Sequence, residues 1–396
     1  MKLAVLGLGT VGSGVINLLR QNKDIIEERI NGNFDITHVF ARDNRYNLDL
    51  SGIIHTQDID EIINSDVDLV IEVMGGIDFA YETIKSLLKS GKHVVTANKD
   101  MLAIHVEELS RIANENEVQF NYEASVAGGI PVILGLQYGL NANHITRIMG
   151  ILNGTTNYIL TRMSQDDWEF DYALNQAQEL GYAEADPTND IGGFDARRKT
   201  AILSRLAYRR EIDVEDVAVT GIEELELTDI QIAKEAGYTI KLIGLSEVQD
   251  GQIDMMVTPM LLDTATQLAK VDEAMNAVYF NGDAIGETMF YGPGAGSMET
   301  ASAIVADAMY ILSFGFIGNT VTEGKAPIAP QSFARKYYVR VEESTTSLEN
   351  ALDSNFFEVV YSGEEGTAFT TEPVTMEDAK AQLKDFNVQA IYPIAD

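Results

Sequence analysis

The 396-residue chain contains no cysteine. Disulfides, thiolate metal sites and covalent thiol catalysis are excluded together. Positive charge is also scarce: 28 Lys and Arg face 61 Asp and Glu, a formal net charge of −33. A surface this acidic repels phosphate backbones and anionic headgroups, so no nucleic acid and no membrane is expected as a partner. No segment approaches the ~18 uninterrupted apolar residues of a membrane span. Met1-Lys2 leads straight into LAVLGLG with no leader-like stretch, and the expected location is cytoplasmic. The five histidines never fall four apart around a glutamate, and neither a GxSxG elbow nor a Walker A loop occurs. Zinc-protease, serine-hydrolase and P-loop chemistry are thereby set aside. The single tryptophan, Trp168, is expected to pack locally.

What is present reads as a globular chain of two or three domains with 45% hydrophobic residues. In the first third, short apolar runs alternate with amphipathic stretches, the pattern of a parallel sheet covered by helices. Strands are expected near residues 2–7, 35–41, 67–73, 92–97 and 118–122, with helices over 11–20, 79–88 and 106–114. Around Gly128-Gly129-Ile130-Pro131 this rhythm breaks and a second domain begins. The last sixty or so residues read strand (337–342), helix (347–352), strands (356–361, 367–371), helix (376–386) and strand (388–392). That order is the split βαβ arrangement of a small ferredoxin-like module. Pro327 and Pro330 suggest a linker ahead of it.

The sharpest local signal is Gly7-Leu8-Gly9-Thr10-Val11-Gly12, between a strand and a helix. The first glycine permits the tight turn, the second admits a pyrophosphate, the third allows close helix–strand packing, and the helix N-terminus faces the phosphates. After the second strand comes Phe40-Ala41-Arg42-Asp43. A guanidinium there suits a 2′-phosphate and favours NADP, while Asp43 leaves NAD open.

Two lysines stand out against so few cations. Lys99 follows the end of a strand in the expected parallel sheet, where open α/β sheets bind ligands. Lys199 lies four residues after Asp195 on one helix face, a spacing that an exposed ion pair also explains. Its surroundings favour a site: Glu184, Asp186, Asp190 and Asp195 crowd a segment broken by Gly181, Pro187, Gly192 and Gly193. Such carboxylates suit a substrate carrying an ammonium group.

These residues carry a family resemblance. Ala177, Gly181, Tyr182-Ala183, Asp186-Pro187, Asp190-Ile191, Gly193, Asp195 and Lys199 together resemble the most diagnostic segment of the homoserine dehydrogenases. The glycine-rich turn, Thr96-Ala97-Asn98-Lys99, Glu123-Ala124-Ser125-Val126, Gly150 to Asn157 and Gly292-Pro293-Gly294-Ala295-Gly296 extend the resemblance over residues 1 to about 320. It implies an α/β chain with a Rossmann dinucleotide-binding domain (1–130 plus about 290–320) and an α+β catalytic and dimerisation domain (131–290). An ACT-like βαββαβ module (335–396) follows. It implies interconversion of L-aspartate 4-semialdehyde and L-homoserine in threonine, methionine and isoleucine biosynthesis.

By the same resemblance Lys199 is the proton donor and Lys99 a second cationic group. Glu184 and Asp195 bind homoserine, with Asp190 lining the pocket. The dinucleotide, NADP(H) in preference to NAD(H), is held at Gly7, Gly9, Thr10, Val11, Gly12, Arg42, Thr96, Lys99, Gly181 and Gly296. A structural sodium ion is implied on the carbonyls of Glu123, Val126, Gly128 and Ile130, and the assembly is a homodimer, with a higher homo-oligomer left open. The missing thiol fits direct hydride transfer and excludes oxidation through a thiohemiacetal. Another Rossmann oxidoreductase on a small amino or hydroxy acid and a non-enzymatic dinucleotide sensor are the other readings. An acid at Lys199 argues against the sensor, since binding alone needs none. One departure is visible: after Tyr337 to Val341 the usual Asp-x-Pro-Gly turn is replaced by Glu342 to Ser347, so weak or no threonine feedback is expected.

Overall fold

In a computed structural model, which describes residues 1–395, the apolar runs of the first third form a six-stranded parallel sheet. Its strands are β1 (Lys2–Leu6), β2 (Asp35–Phe40), β3 (Ile54–Thr56), β4 (Leu69–Glu72), β5 (His93–Thr96) and β6 (Phe120–Asn121). They lie in the order β3-β2-β1-β4-β5-β6. This is the doubly wound arrangement, and the chain reverses direction of winding between β1 and β4, the switch point where such sheets bind ligands. β1 and β4 are almost wholly buried, the mark of strands covered by helices on both faces. Helices Thr10–Gln21, Asp78–Lys89 and Lys99–Glu115 provide that cover. Helix Ser297–Phe314, far along the chain, returns to the same unit and buries Ala301, Ile304, Ala308 and Ile311 in the core that holds Leu3, Val15 and Leu19. This unit comprises residues 1–142, 201–213 and 292–325. Two expectations are corrected in it. The three-residue strand β3 has no periodicity to betray it, and the helix expected from residue 106 begins at Lys99, where Asn98 caps it.

The second unit, residues 143–200, 214–291 and those from Ala326 onward, is built on one mixed sheet. It contains β7 (Ile145–Ile151), β8 (Ala218–Val219), β9 (Tyr238–Gln249), β10 (Gln252–Asp263), β11 (Met275–Gly282) and β12 (Gly286–Pro293). The C-terminal strands β13 (Tyr337–Val341), β14 (Phe357–Gly363), β15 (Gly366–Thr371) and β16 (Val388–Ala395) continue it. The order is β12-β11-β7-β9-β10-β16-β13-β15-β14, with β8 on β10. The long β9–β10 hairpin turns at Asp250-Gly251, both with positive φ, the chemistry of a tight two-residue loop.

The C-terminal segment keeps the expected strand–helix–strand–strand–helix–strand order, its second helix ending earlier, at Gln382. The proline-containing stretch before it is no spacer. Ile328 bridges to Ile253, the Ala329 N–H donates to the Ile253 carbonyl, and the Gln331 N–H reaches Asp254 Oδ1 at 2.8 Å. Trp168 packs edge-on against Tyr172, ring centroids 4.7 Å apart.

Candidate active site

The first unit carries the dinucleotide features. Chain direction reverses between β1 and helix Thr10–Gln21 through the glycine turn, where a Cβ on Gly7 would stand 2.6 Å from the Val73 carbonyl oxygen. A Cβ on Gly12 would meet the Gly7 carbonyl oxygen at 2.0 Å, whereas Gly9 faces open space. Two glycines are thus demanded by packing and the middle one by whatever approaches it. Gly9 caps the helix without a side-chain acceptor, so the first N–H groups, from Thr10 and Val11 onward, point outward unsatisfied by the cap. That cradle fits a pyrophosphate. Ser297 Oγ donates to the Thr10 carbonyl at 2.7 Å, and the Tyr46 hydroxyl lies 2.9 Å from Thr10 Oγ1.

Arg42, just past β2, is exposed, its carbonyl held by Gln57 Nε2 at 2.8 Å. Neighbouring Asp43 accepts from Arg45 Nε with both oxygens at 3.1 Å. At the ends of β4 and β5, Thr96 Oγ1 donates to Glu72 Oε2 at 2.6 Å, and the Met74 N–H reaches Glu72 Oε1 at 2.7 Å. Glu72 is fully buried, and burial pushes its carboxyl above the usual range. Lys99 opens its helix three residues after β5. Asn98 beside it accepts from the Met101 N–H and donates to the Gly76 carbonyl at 2.6 Å. Gly296, with φ +137°, precedes helix Ser297–Phe314.

The sodium-binding carbonyls expected at Glu123, Val126, Gly128 and Ile130 fall in a curled, buried stretch of the same unit. A 3-10 turn (Glu123–Ser125) is followed by Ala127 and Gly128, both with left-handed φ. Val126 and Gly128 are buried, and no described hydrogen bond ends on their carbonyls. These two carbonyls suit a hard monovalent cation, whereas those of Glu123 and Ile130 already accept the Val126 and Val132 N–H groups at 3.4 and 2.8 Å. The Glu123 carboxylate itself accepts the Ile133 and Leu134 N–H groups at 2.8 and 2.6 Å. Asp307 Oδ2 accepts the Glu123 N–H at 2.7 Å. Among the described residues no cluster of His, Asp and Glu side chains has the form of a metal site.

The acid–base constellation lies in the second unit. Gly193, at φ +80°, turns the chain into helix Phe194–Tyr208, and a Cβ there would press on Val219 and Val257 at 3.0 and 3.2 Å. The turn so fixed presents Asp195 and Lys199 one above the other. Lys199 Nζ donates to Asp195 Oδ2 and to the Leu152 carbonyl, each at 2.7 Å. With side chains only 12% and 8% exposed, this is no solvated surface pair. Asn153 Nδ2 joins the group, donating to Asp190 Oδ1 at 2.7 Å and Asp195 Oδ2 at 2.9 Å.

The expected convergence of four carboxylates is narrower than the spacing suggested. Asp190 and Asp195 meet at Asn153, and Lys199 joins them through Asp195. Asp186 is exposed and turned to its own loop, accepting from Thr188 Oγ1 at 2.6 Å. Gly181 and Glu184 sit on an exposed turn pinned by Thr155 Oγ1 to the Tyr182 carbonyl at 2.5 Å and by Gln178 Nε2 to the Glu184 carbonyl at 3.0 Å. Asn153, Glu72, Asn98 and Tyr46 were given no role from sequence. Asn153 before Gly154-Thr155-Thr156 has the look of a helix cap, a signal that marks its oxygen and says nothing of its nitrogen.

A family model described as homoserine dehydrogenase matches residues 131–309, and one described as its NAD-binding domain matches residues 7–123. A homoserine dehydrogenase from Bacillus subtilis is 43% identical over 334 residues, covering 84% of this chain and 76% of that protein. The crystal structure of a homoserine dehydrogenase from Thiobacillus denitrificans superposes with a TM-score of 0.92 at 33% identity, covering 100% of this chain and 98% of that one. A hyperthermophilic archaeal homoserine dehydrogenase in complex with NADPH matches at TM-score 0.68 and 26% identity, over 80% of this chain and 98% of that one. A nicotinamide-dinucleotide turn on a doubly wound sheet, a buried lysine–aspartate pair and these matches lead to one conclusion: the chain belongs to the homoserine dehydrogenase family of oxidoreductases.

Proposed function

We propose that this chain interconverts L-aspartate 4-semialdehyde and L-homoserine by direct hydride transfer, with Lys199 as the acid at the aldehyde oxygen. A bound nicotinamide dinucleotide supplies the hydride. The observation that carries the assignment is the hydrogen bonding of Lys199. Two of its three N–H groups are committed to Asp195 and the Leu152 carbonyl, which leaves the third to serve a ligand oxygen. Negative charge developing on that oxygen is met by the ammonium, whose proton passes to it; in the reverse direction the same nitrogen takes the proton back. Asp195 holds Lys199 and, with Glu184, serves the substrate ammonium, while Asp190 lines the same pocket. Lys99 adds a second positive charge near substrate and dinucleotide.

The dinucleotide occupies Gly7, Gly9, Thr10, Val11, Gly12, Arg42, Thr96, Lys99, Gly181 and Gly296. NADP(H) is preferred, supported by Arg42 and by the pairing of Asp43 with Arg45. Sodium is the ion for the carbonyls of Glu123, Val126, Gly128 and Ile130. The dinucleotide-binding domain is 1–130 with about 290–320, the catalytic and dimerisation domain 131–290, and the ACT-like module 335–396, with little threonine response. A homodimer is the assembly proposed. No described helix is long and apolar enough to cross a membrane, and a cytoplasmic enzyme fits this.

The test is a spectrophotometric assay of homoserine oxidation with NADP and with NAD. Lys199→Ala is expected to lower turnover by roughly a hundred- to ten-thousandfold, the usual worth of a positioned acid, while NADPH still binds. Near-normal turnover rejects the assignment.

A further inference from the structure

Asn153 makes more contacts than a helix cap requires. It stands in extended conformation (φ −130°, ψ 118°) before helix Gly154–Asp166, and its Oδ1 accepts the Thr156 N–H at 2.9 Å and Thr156 Oγ1 at 3.2 Å. Capping is complete at that point: it needs one acceptor, which Ser, Thr or Asp supplies equally well. The amide nitrogen is surplus to it. Because the cap fixes which end of the amide is oxygen, the nitrogen must face the other way, and there its two protons meet two carboxylates, Asp190 Oδ1 at 2.7 Å and Asp195 Oδ2 at 2.9 Å. The residue is 6% exposed, so these bonds form away from bulk water.

The two acids come from different elements, Asp190 from the short helix Thr188–Ile191 and Asp195 from helix Phe194–Tyr208. Their accepting oxygens lie within two hydrogen-bond lengths of each other. At that separation like charges oppose joint ionisation, and a shared donor favours it. Asp195 Oδ2 is also the oxygen that takes Lys199 Nζ. One amide therefore fixes the atom that aims the proposed acid and ties it to the neighbouring carboxylate.

We propose that Asn153 is a positioning residue for the reaction: its amide nitrogen clamps Asp190 to Asp195 and thereby sets the direction of Lys199. The inference rests on the assignment of Lys199 as the acid. The described contacts of the clamp join Asp190, Asp195 and Lys199, and Glu184 stands on the exposed turn.

Asn153→Ser and Asn153→Asp separate capping from clamping, because both keep an acceptor for the Thr156 N–H and both lose the paired amide N–H groups, the one Ser O–H being unable to serve two carboxylates. In the Ser variant kcat for homoserine oxidation is expected to fall at least about tenfold, with the NADP KM within twofold of the parent. The acid limb of kcat/KM moves to higher pH, since carboxylates that lose a donor protonate more readily. The Asp variant adds a third carboxylate and shifts the limb further in the same direction. Parent-like kcat and an unmoved acid limb in both variants overturn the inference. So does loss of NADPH binding in step with turnover, the signature of a residue that only holds the fold. Lys199→Ala assayed alongside distinguishes the two levels. If it turns over normally, the acid assignment fails and the clamp with it; if it is inactive while Asn153→Ser is parent-like, only the clamp fails.

Discussion

A carboxylate four residues before a lysine is an ordinary helix pair until its burial is known. For Asp195 and Lys199 burial reverses the reading, because a charge pair sheltered from water is retained only where further hydrogen bonds support it, and here Leu152 and Asn153 provide them. Arg42 is the opposite case. It is exposed, and its value lies in a ligand group it would meet, so its effect must appear as a difference between two dinucleotides. Arg42→Ala is expected to raise the KM for NADP by about tenfold, the scale of one charge-assisted hydrogen bond, and to leave that for NAD within twofold. Steady-state kinetics with both dinucleotides checks this, and equal effects refute the 2′-phosphate role. Asp43 explains why a reading of either residue alone was ambiguous: both dinucleotide signatures stand side by side, and only the Arg45 contact separates them.

Among the elements, the C-terminal segment is held to the rest of the second unit by more than strand pairing. Among the described residues β16 meets β10 at two positions, Leu261 with Ile394 and Leu262 with Ala395. Two buried arginines reinforce that narrow seam. Arg340 donates to both oxygens of Asp229, at 2.7 and 3.0 Å, and to Glu226 at 2.6 Å, while the Tyr338 hydroxyl reaches Asp229 at 2.8 Å. Arg335 joins Glu247 at 2.8 Å and Asp254 at 2.7 Å. Arg340→Met would leave Asp229 buried with its charge uncompensated, and is expected to cost about 3–5 kcal/mol in urea unfolding. Adding Asp229→Asn should recover much of that loss; no recovery would mean that the arginine acts by packing alone. None of this was legible in the sequence, where Pro327 and Pro330 suggested a spacer. The glycine turn and the βαββαβ order were legible because each is written in local periodicity and turn chemistry. The long β9–β10 hairpin lies in a mixed region without a clean period. The Asn153 clamp and the carbonyls near Gly128 depend on which distant groups the fold brings up, and carbonyls are common to every residue type.

For the molecule as a whole, the acid surplus divides into two populations. A few carboxylates are buried and individually compensated by donors: Glu72, Glu123, Asp195, Asp229, Asp254 and Asp307. Most of the remaining net charge of −33 faces solvent, where it repels itself and opposes the compact state. Salt relieves this, because the Debye length shrinks from ~30 Å at 0.01 M to ~8 Å at 0.15 M. The Tm should therefore rise with ionic strength whatever the cation. A sodium site at Glu123, Val126, Gly128 and Ile130 would act differently: its stabilisation follows RT ln(1 + [Na⁺]/Kd), about 2.7 kcal/mol at a hundred times Kd, and a bulky cation cannot reproduce it. Thermal unfolding in matched series of sodium chloride and choline chloride separates the two. Both series should climb, with the sodium curve higher by a gap that opens at low concentration and then widens only logarithmically. Replacing the Val126–Gly128 curl by a conformation without the left-handed turn, as Gly128→Val would demand, should close that gap while leaving the choline slope intact, since surface charge is unchanged. If the two series coincide in the parent protein, screening accounts for the whole salt response and the carbonyl site is discarded.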